Sequence, residues 1–300
     1  MPRLALTLLG QLILSSALTA ADKVPMAISI WAIDADGSNV RELGAIPGYP
    51  IINSPEVSPD GTWVAVDGWK HGEKNTAGHV LLLNVETKET RDLGPGCMPS
   101  WSADGEWLGI SKYAPGGVYM RQVDSDVETC MDPTGWAIQL SSDGTKAAYV
   151  RHSSKLVVDD FASNTQREYI PDQEDPYRYI MHNCRWSPDS SRICFIGVRQ
   201  SGKREVAILS IDPQNPDLTV VCDADNIDPD IAWHPHDDRI TFPSQPKASQ
   251  PGQIMVVNAR QPADPLPFPG QPPDRSNRGM CWTADGQTLI FVSNAASPWR

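Results

Sequence analysis

Six times along this chain an apolar anchor, a short polar turn and a second apolar run follow one another. The copies are Val57-Ser-Pro-Asp-Gly-Thr-Trp-Val-Ala-Val66, Trp101-Ser-Ala-Asp-Gly-Glu-Trp-Leu-Gly-Ile110 and Leu140-Ser-Ser-Asp-Gly-Thr-Lys-Ala-Ala-Tyr149. Then come Trp186-Ser-Pro-Asp-Ser-Ser-Arg-Ile-Cys-Phe195, Trp233-His-Pro-His-Asp-Asp-Arg-Ile-Thr-Phe242 and Trp282-Thr-Ala-Asp-Gly-Gln-Thr-Leu-Ile-Phe291. Asp bonds to its own nearby backbone and Gly supplies a positive φ, so each copy predicts a β-hairpin with the anchor ending its first strand. The same chemistry makes Asp60 and Asp104 turn residues rather than catalytic acids. The anchors at 57, 101, 140, 186, 233 and 282 recur every 39 to 49 residues, the period of a propeller blade.

A third apolar strand follows the first five hairpins, for example His79-Val-Leu-Leu-Leu-Asn-Val85 and Glu205-Val-Ala-Ile-Leu-Ser-Ile211. A weaker fourth follows it, as in Thr90-Arg-Asp-Leu93 and Thr219-Val-Val-Cys222. Four antiparallel strands make one blade, so the fold class is an all-β, six-bladed β-propeller. The sixth hairpin stops near Ser293 without its outer pair, and a matching pair stands at the other end of the chain, in Ser29 to Leu43. Residues 28–46 are therefore expected to complete the sixth blade and to close the ring, which removes its open edges.

These hairpins and the Ile33-Asp-Ala-Asp-Gly-Ser-Asn-Val40 segment resemble the TolB-like propeller family, whose blades carry a W-S-P-D-G-type hairpin before a strand ending in D-x-x-G or D-x-x-T. The resemblance runs from residue 22 to 300 and implies one propeller domain. Nothing in it corresponds to the separate N-terminal α/β domain that TolB itself carries ahead of its propeller.

Ahead of the repeats, Arg3, the apolar run Leu4 to Leu14 and the small residues Ser15 to Ala21 follow the order of a secretory signal peptide, expected to be removed after Ala20 or Ala21. No later stretch is long and apolar enough to span a bilayer. The mature chain is thus expected in the periplasm or secreted. Formal charge is −12 and there is no basic stripe, which argues against nucleic acid as a partner. An exported chain with six cysteines permits disulfides, and Cys184 with Cys194, five residues to either side of Asp189, is the pair a hairpin could bring together.

Sequence motifs for catalysis are missing. Gly197-Val-Arg-Gln-Ser-Gly-Lys-Arg204 approaches a phosphate-binding loop but ends in Arg where Ser or Thr is needed and lies between strands, so it reads as a hairpin loop. Asp34 to Asn39 lacks the closing Glu of a calcium loop and reads as a turn. The acidic run Asp223, Asp225, Asp228 and Asp230 offers carboxylates to a calcium ion, with a solvated acidic loop as the plainer alternative; no other cofactor is expected.

Propeller geometry puts the short turns on one face and the variable loops on the other, and variable loops on a rigid scaffold are where binding usually sits. Loop candidates there include 67–78, Asp172 to Tyr179 and the proline-rich 243–251 and 262–273. Four residues before each anchor, at the channel mouth, stand Asn53, Cys97, Trp136, His182, Pro229 with Asp230, and Arg278. Of these, Asn53, Trp136, His182, Asp230 and Arg278 form a candidate pocket for a polar ligand or peptide end. The expected function is a monomeric binding module for a protein, peptide or envelope polymer on the loop face. A metal-assisted polysaccharide lyase or hydrolase working in the channel is the alternative.

Overall fold

The computed structural model describes residues 27–170, 177–181, 183–223, 226–245, 247 and 250–295. The expected signal peptide, His182 and Asp225 lie outside the described residues. Six antiparallel sheets stand around a central channel. The first holds β3 (Ile51–Val57), β4 (Trp63–Trp69), β5 (His79–Asn84) and β6 (Thr90–Pro95). β7 (Cys97–Trp101) to β10 (Glu128–Asp132) form the second, and β11 (Gly135–Leu140) to β14 (Thr165–Tyr169) the third. The fifth runs from β20 (Ala232–Trp233) through β21 (Arg239–Ser244) and β22 (Gln253–Asn258) to β23 (Gln261–Pro267).

The sixth blade has the order β2-β1-β25-β24, with β24 (Arg275–Trp282) and β25 (Thr288–Ala295) from the end of the chain and β1 (Ser29–Asp34) and β2 (Arg41–Gly44) from its start. β1 pairs with β25 at six successive positions, from Ser29 opposite Ser293 to Asp34 opposite Thr288. The expected closure is thus met, and the innermost strands contact one another in turn around the whole ring. Burial makes the closure stable: Ile30 sits among Cys281, Ile290 and Val292 of its own blade and Ile52, Val64 and Leu81 of the first.

The hairpin turns share one hydrogen-bond pattern. Ser58 Oγ donates to Asp60 Oδ1 at 2.5 Å, the same carboxylate accepts Thr62 N–H at 3.0 Å, and Ser58 Oγ accepts Trp63 N–H at 2.9 Å. Ser102 with Asp104, Ser141 with Asp143, Ser187 with Asp189 and Thr283 with Asp285 repeat the first of these bonds. Those bonds hold the carboxyls below their ordinary range, Asp189 down to about 2 through Ser187 first. In the fifth copy His234 and His236 replace the pair, and His234 Nδ1 accepts the His236 N–H at 3.2 Å.

Several expectations need correction. Tyr177 to Tyr179 is not a loop but part of β15 (Tyr177–Ile180), which pairs with β17 (Arg192–Arg199); the fourth blade's inner strand resumes as β16 (Arg185–Trp186) after a break. Pro262, Pro265 and Pro267 lie in β23 rather than a loop. An outermost strand tolerates proline because its outward positions need no N–H for a ladder. Cys184 and Cys194 do not oppose each other. Arg185 stands opposite Cys194, so Cys184 faces the other side of the sheet and joins a different apolar cluster. All six cysteines are free.

The phosphate-loop look-alike is the hairpin between β17 and β18 (Arg204–Ser210), as its position between strands implied. Gly197 is required there for packing: a Cβ would lie 2.2 Å from the Tyr177 ring. Asp34 to Asn39 is the β1–β2 turn, in which Asp34 Oδ2 accepts Asn39 Nδ2 at 2.7 Å.

Candidate functional site

Every inner strand is kinked at the same place. The residue three before each anchor has a left-handed backbone: Ser54 (φ 48°), Met98 (53°), Ala137 (59°), Asn183 (62°), Asp230 (89°) and Gly279 (47°). Non-glycine residues rarely adopt this conformation, and holding it costs roughly 1–2 kcal/mol each. The ladder slips at the kink, between Asn53 and Glu56, Cys97 and Ser100, and Trp136 and Gln139. A strand that slips in this way frees its backbone N–H groups. Asp67 Oδ2 accepts the Met98 N–H at 3.0 Å, and Ser111 Oγ accepts the Ala137 N–H at 2.7 Å, from matching positions on the preceding blade's second strand.

The kinks aim polar side chains across the channel. Asn183 of the fourth blade donates to Ser54 Oγ of the first at 3.1 Å and also bonds Asp230 Oδ1 of the fifth. Nearer the short turns, Arg185 of the fourth blade reaches Glu56 Oε2 of the first at 2.8 Å and bonds Gln139 of the third. Blades one and four stand opposite each other in a ring of six. These two layers therefore seal the channel from wall to wall.

Burial shifts the carboxyls here. Desolvation pushes Asp67, 1% exposed, up to about 7 against the Met98 hydrogen bond, and the Asp230 charge adds to the rise. Glu56 is raised by burial, with Arg185 pulling it back. Burial lowers Arg278, opposed by the Asp228 and Asp230 carboxylates.

The sequence candidates divide. Asn53 and Asp230 come together at Gly279, where an added Cβ would lie 3.0 Å from Asn53 Oδ1 and 3.2 Å from Asp230 Oδ2. Asp230 is itself a kink residue, one register from the position read in sequence. Arg278 faces the same group electrostatically. Trp136 does not join it: its ring packs at a tilt against Tyr113, centroids 4.6 Å apart, and lines a cleft of about 500 Å³ between the third and fourth blades on the loop face. That cleft is walled by Trp136 and Tyr179, floored by Val150 and Ile180, and rimmed by His152 and Arg178. Arg178 lies 5.3 Å over the Tyr179 ring.

The metal candidates are spread out. Asp223 ends β19 (Leu218–Asp223) and pairs with Lys203, Asp228 faces Arg278 and Arg204, and Asp230 is in the channel. Among the described residues no group of three or more His, Cys, Asp or Glu side chains is placed to hold a metal ion. Arg178 and Tyr179 fall in the Asp172 to Tyr179 stretch picked out in sequence, though on a strand; the residues missed are Tyr113, against Trp136, and the sealing pair Arg185 and Glu56. Only the position of the pair, next to an anchor, was available as a signal.

Fold and geometry define a closed six-bladed propeller whose channel is sealed by its own side chains, leaving the two mouths and their clefts as usable surface. The fold is similar to that of TolB propellers. A putative TolB from Agrobacterium tumefaciens superposes with a TM-score of 0.70 at 16% identity, over 90% of this chain and 99% of that one. TolB from Acinetobacter baumannii gives 0.61 at 13% identity over 90% of this chain, which spans 64% of that protein's length. A chain of a nidogen/laminin complex gives 0.58 at 8% identity over 90% of this chain and all of that one. No protein-family model and no curated protein matches the sequence. At these identities the likeness is one of fold.

Proposed function

We propose that the chain is an exported, monomeric binding module that takes a protein or peptide partner at the loop-face mouth, in the cleft between its third and fourth blades. The observation that carries this reading is the cleft itself, about 500 Å³ with Trp136, Tyr179 and Arg178 around it. Its size falls in the roughly 300–1,000 Å³ range of small-molecule and peptide-anchor pockets, and Trp, Tyr and Arg are the residues that dominate interface energetics. The cleft is lined by side chains of neighbouring blades, whose free edges lie on the outermost strands, so recognition there runs through side chains and not through strand addition. Occurrence of the same fold in a nidogen/laminin complex supports a protein partner.

The test is capture from the exported fraction with the tagged full chain and with Arg178→Ala and Tyr113→Ala, both exposed positions. Partner recovery is expected to fall in both variants. Capture of no partner, or recovery by both variants equal to that of the parent chain, refutes the site. N-terminal sequencing of the mature protein checks export, with a start at Ala21 or Asp22 expected.

A further inference from the structure

The face carrying the short turns is more than scaffold. A funnel of about 490 Å³ opens there on the channel axis. Its walls are the anchor indoles of Trp101, Trp186, Trp233 and Trp282, and its floor is the Arg185 and Glu56 pair with Gln139. Under the fifth and sixth blades that floor gives way to Ala232 and Cys281, both small and apolar, leaving a well between the Trp233 and Trp282 rings.

Three donors around this space stand without a hydrogen-bond partner among the described residues. Gln139 is 2% exposed; its Oε1 takes the Arg185 guanidinium, which leaves Nε2 as the amide end with nothing to donate to. Trp101 and Trp186 donate their indole N–H to Glu56 O and Gln139 O of the preceding blades, both at 3.0 Å, whereas Trp233 and Trp282 Nε1 make no such bond. All three are sealed inside the wall, so they do not face the funnel, and its occupant is selected by shape and charge.

Around the mouth, Asp60, Asp104, Asp143, Asp189 and Asp285 form a collar, one carboxylate per turn and each tied down by its own Ser or Thr hydroxyl. Carboxylates fixed by turn bonds stay ionised and in place, so the collar attracts positive charge.

We propose that the funnel is a second docking site, for a basic segment of a partner protein that seats one apolar side chain over Ala232 and Cys281 and lays its lysines or arginines against the collar. This site is independent of the loop-face cleft, and together they make the propeller a two-faced adaptor.

The probe is a synthetic peptide with one phenylalanine flanked by lysines, titrated against the full chain by fluorescence anisotropy beside a glutamate-flanked counterpart. The variants are Ala284→Trp and Ser142→Trp, at exposed turn positions on the funnel rim where other copies carry proline, with Arg178→Ala as the loop-face control. The lysine peptide is expected to bind and to weaken with salt. Its affinity should fall by about tenfold or more in the tryptophan variants, with unchanged circular dichroism, and stay level in Arg178→Ala. The proposal is overturned if the lysine peptide does not bind, if the glutamate peptide binds as well, if both tryptophan variants bind normally, or if Arg178→Ala alone abolishes binding.

Discussion

Ring closure by the N-terminal strand makes a strong prediction at Ile30. This side chain is fully buried and packs against the C-terminal hairpin of its own blade and against the first blade at once. Ile30→Ala removes three buried carbons, worth roughly 0.8 kcal/mol each, and leaves a cavity in a seam with rigid walls on both sides, for a total of about 2–5 kcal/mol. A domain of this size loses roughly 2–4 °C of melting temperature per kcal/mol, so the variant should melt about 4–20 °C lower. The assay is thermal unfolding by circular dichroism, with Val40→Ala as control. Val40 is 40% exposed near the same strand pair, and a surface truncation of this kind should stay within about 0.5 kcal/mol. Amide exchange should also rise in β1 and β25 together, since each is the other's ladder partner. If Ile30→Ala melts with the control, or exchange rises in β1 alone, the N-terminal strand does not close the ring and the reasoning fails.

Other predictions follow from the channel and the thiols. Arg185→Ala leaves Glu56 in the sealed channel without its counter-charge and should cost about 3–5 kcal/mol, part of which Glu56→Gln recovers in the double variant; a double variant no more stable than the single one would show that the pair does not lock the channel. Asp67 titrates near 7 in the folded chain, above the ordinary value of 3.8, so as pH rises the unfolded chain releases this proton first and stability falls across that window. Asp67→Asn, which keeps an acceptor for the Met98 N–H, should therefore match the parent below about pH 4 and become the more stable protein towards and above pH 7; a pH-independent difference in urea unfolding speaks against the buried carboxyl. Under native conditions a thiol reagent should modify Cys130, the one exposed cysteine, and reach the other five only on unfolding; a mass lower by two hydrogen atoms without reductant would instead reveal a disulfide.

How far the sequence reached depended on whether a signal was local. Asp60, Gly61 and their counterparts announce turns because turn geometry is decided within four or five residues, by one carboxylate and a positive φ. The blade count and the N-terminal closure followed because repeat spacing and a missing strand pair can be counted along the chain. The kinks at Met98 and Ala137 were invisible. Neither residue favours a left-handed backbone, and the conformation is imposed by Asp67 and Ser111, which lie about thirty residues away and on the neighbouring blade. The same holds for the cleft, where Trp136 and Tyr179 meet only because consecutive blades stand side by side.

By itself, then, the sequence determined the blade, its repetition and the ring that six blades with a shared strand must form, all of them consequences of local hydrogen bonding and of the need to complete the sixth blade. Only the tertiary structure decided what the ring encloses. Arg185 meets Glu56, and Asn183 meets Ser54, because opposite blades converge on one axis, and buried polar groups brought that close must satisfy one another. That convergence seals the channel and leaves the two mouths as the surfaces on which this propeller can act.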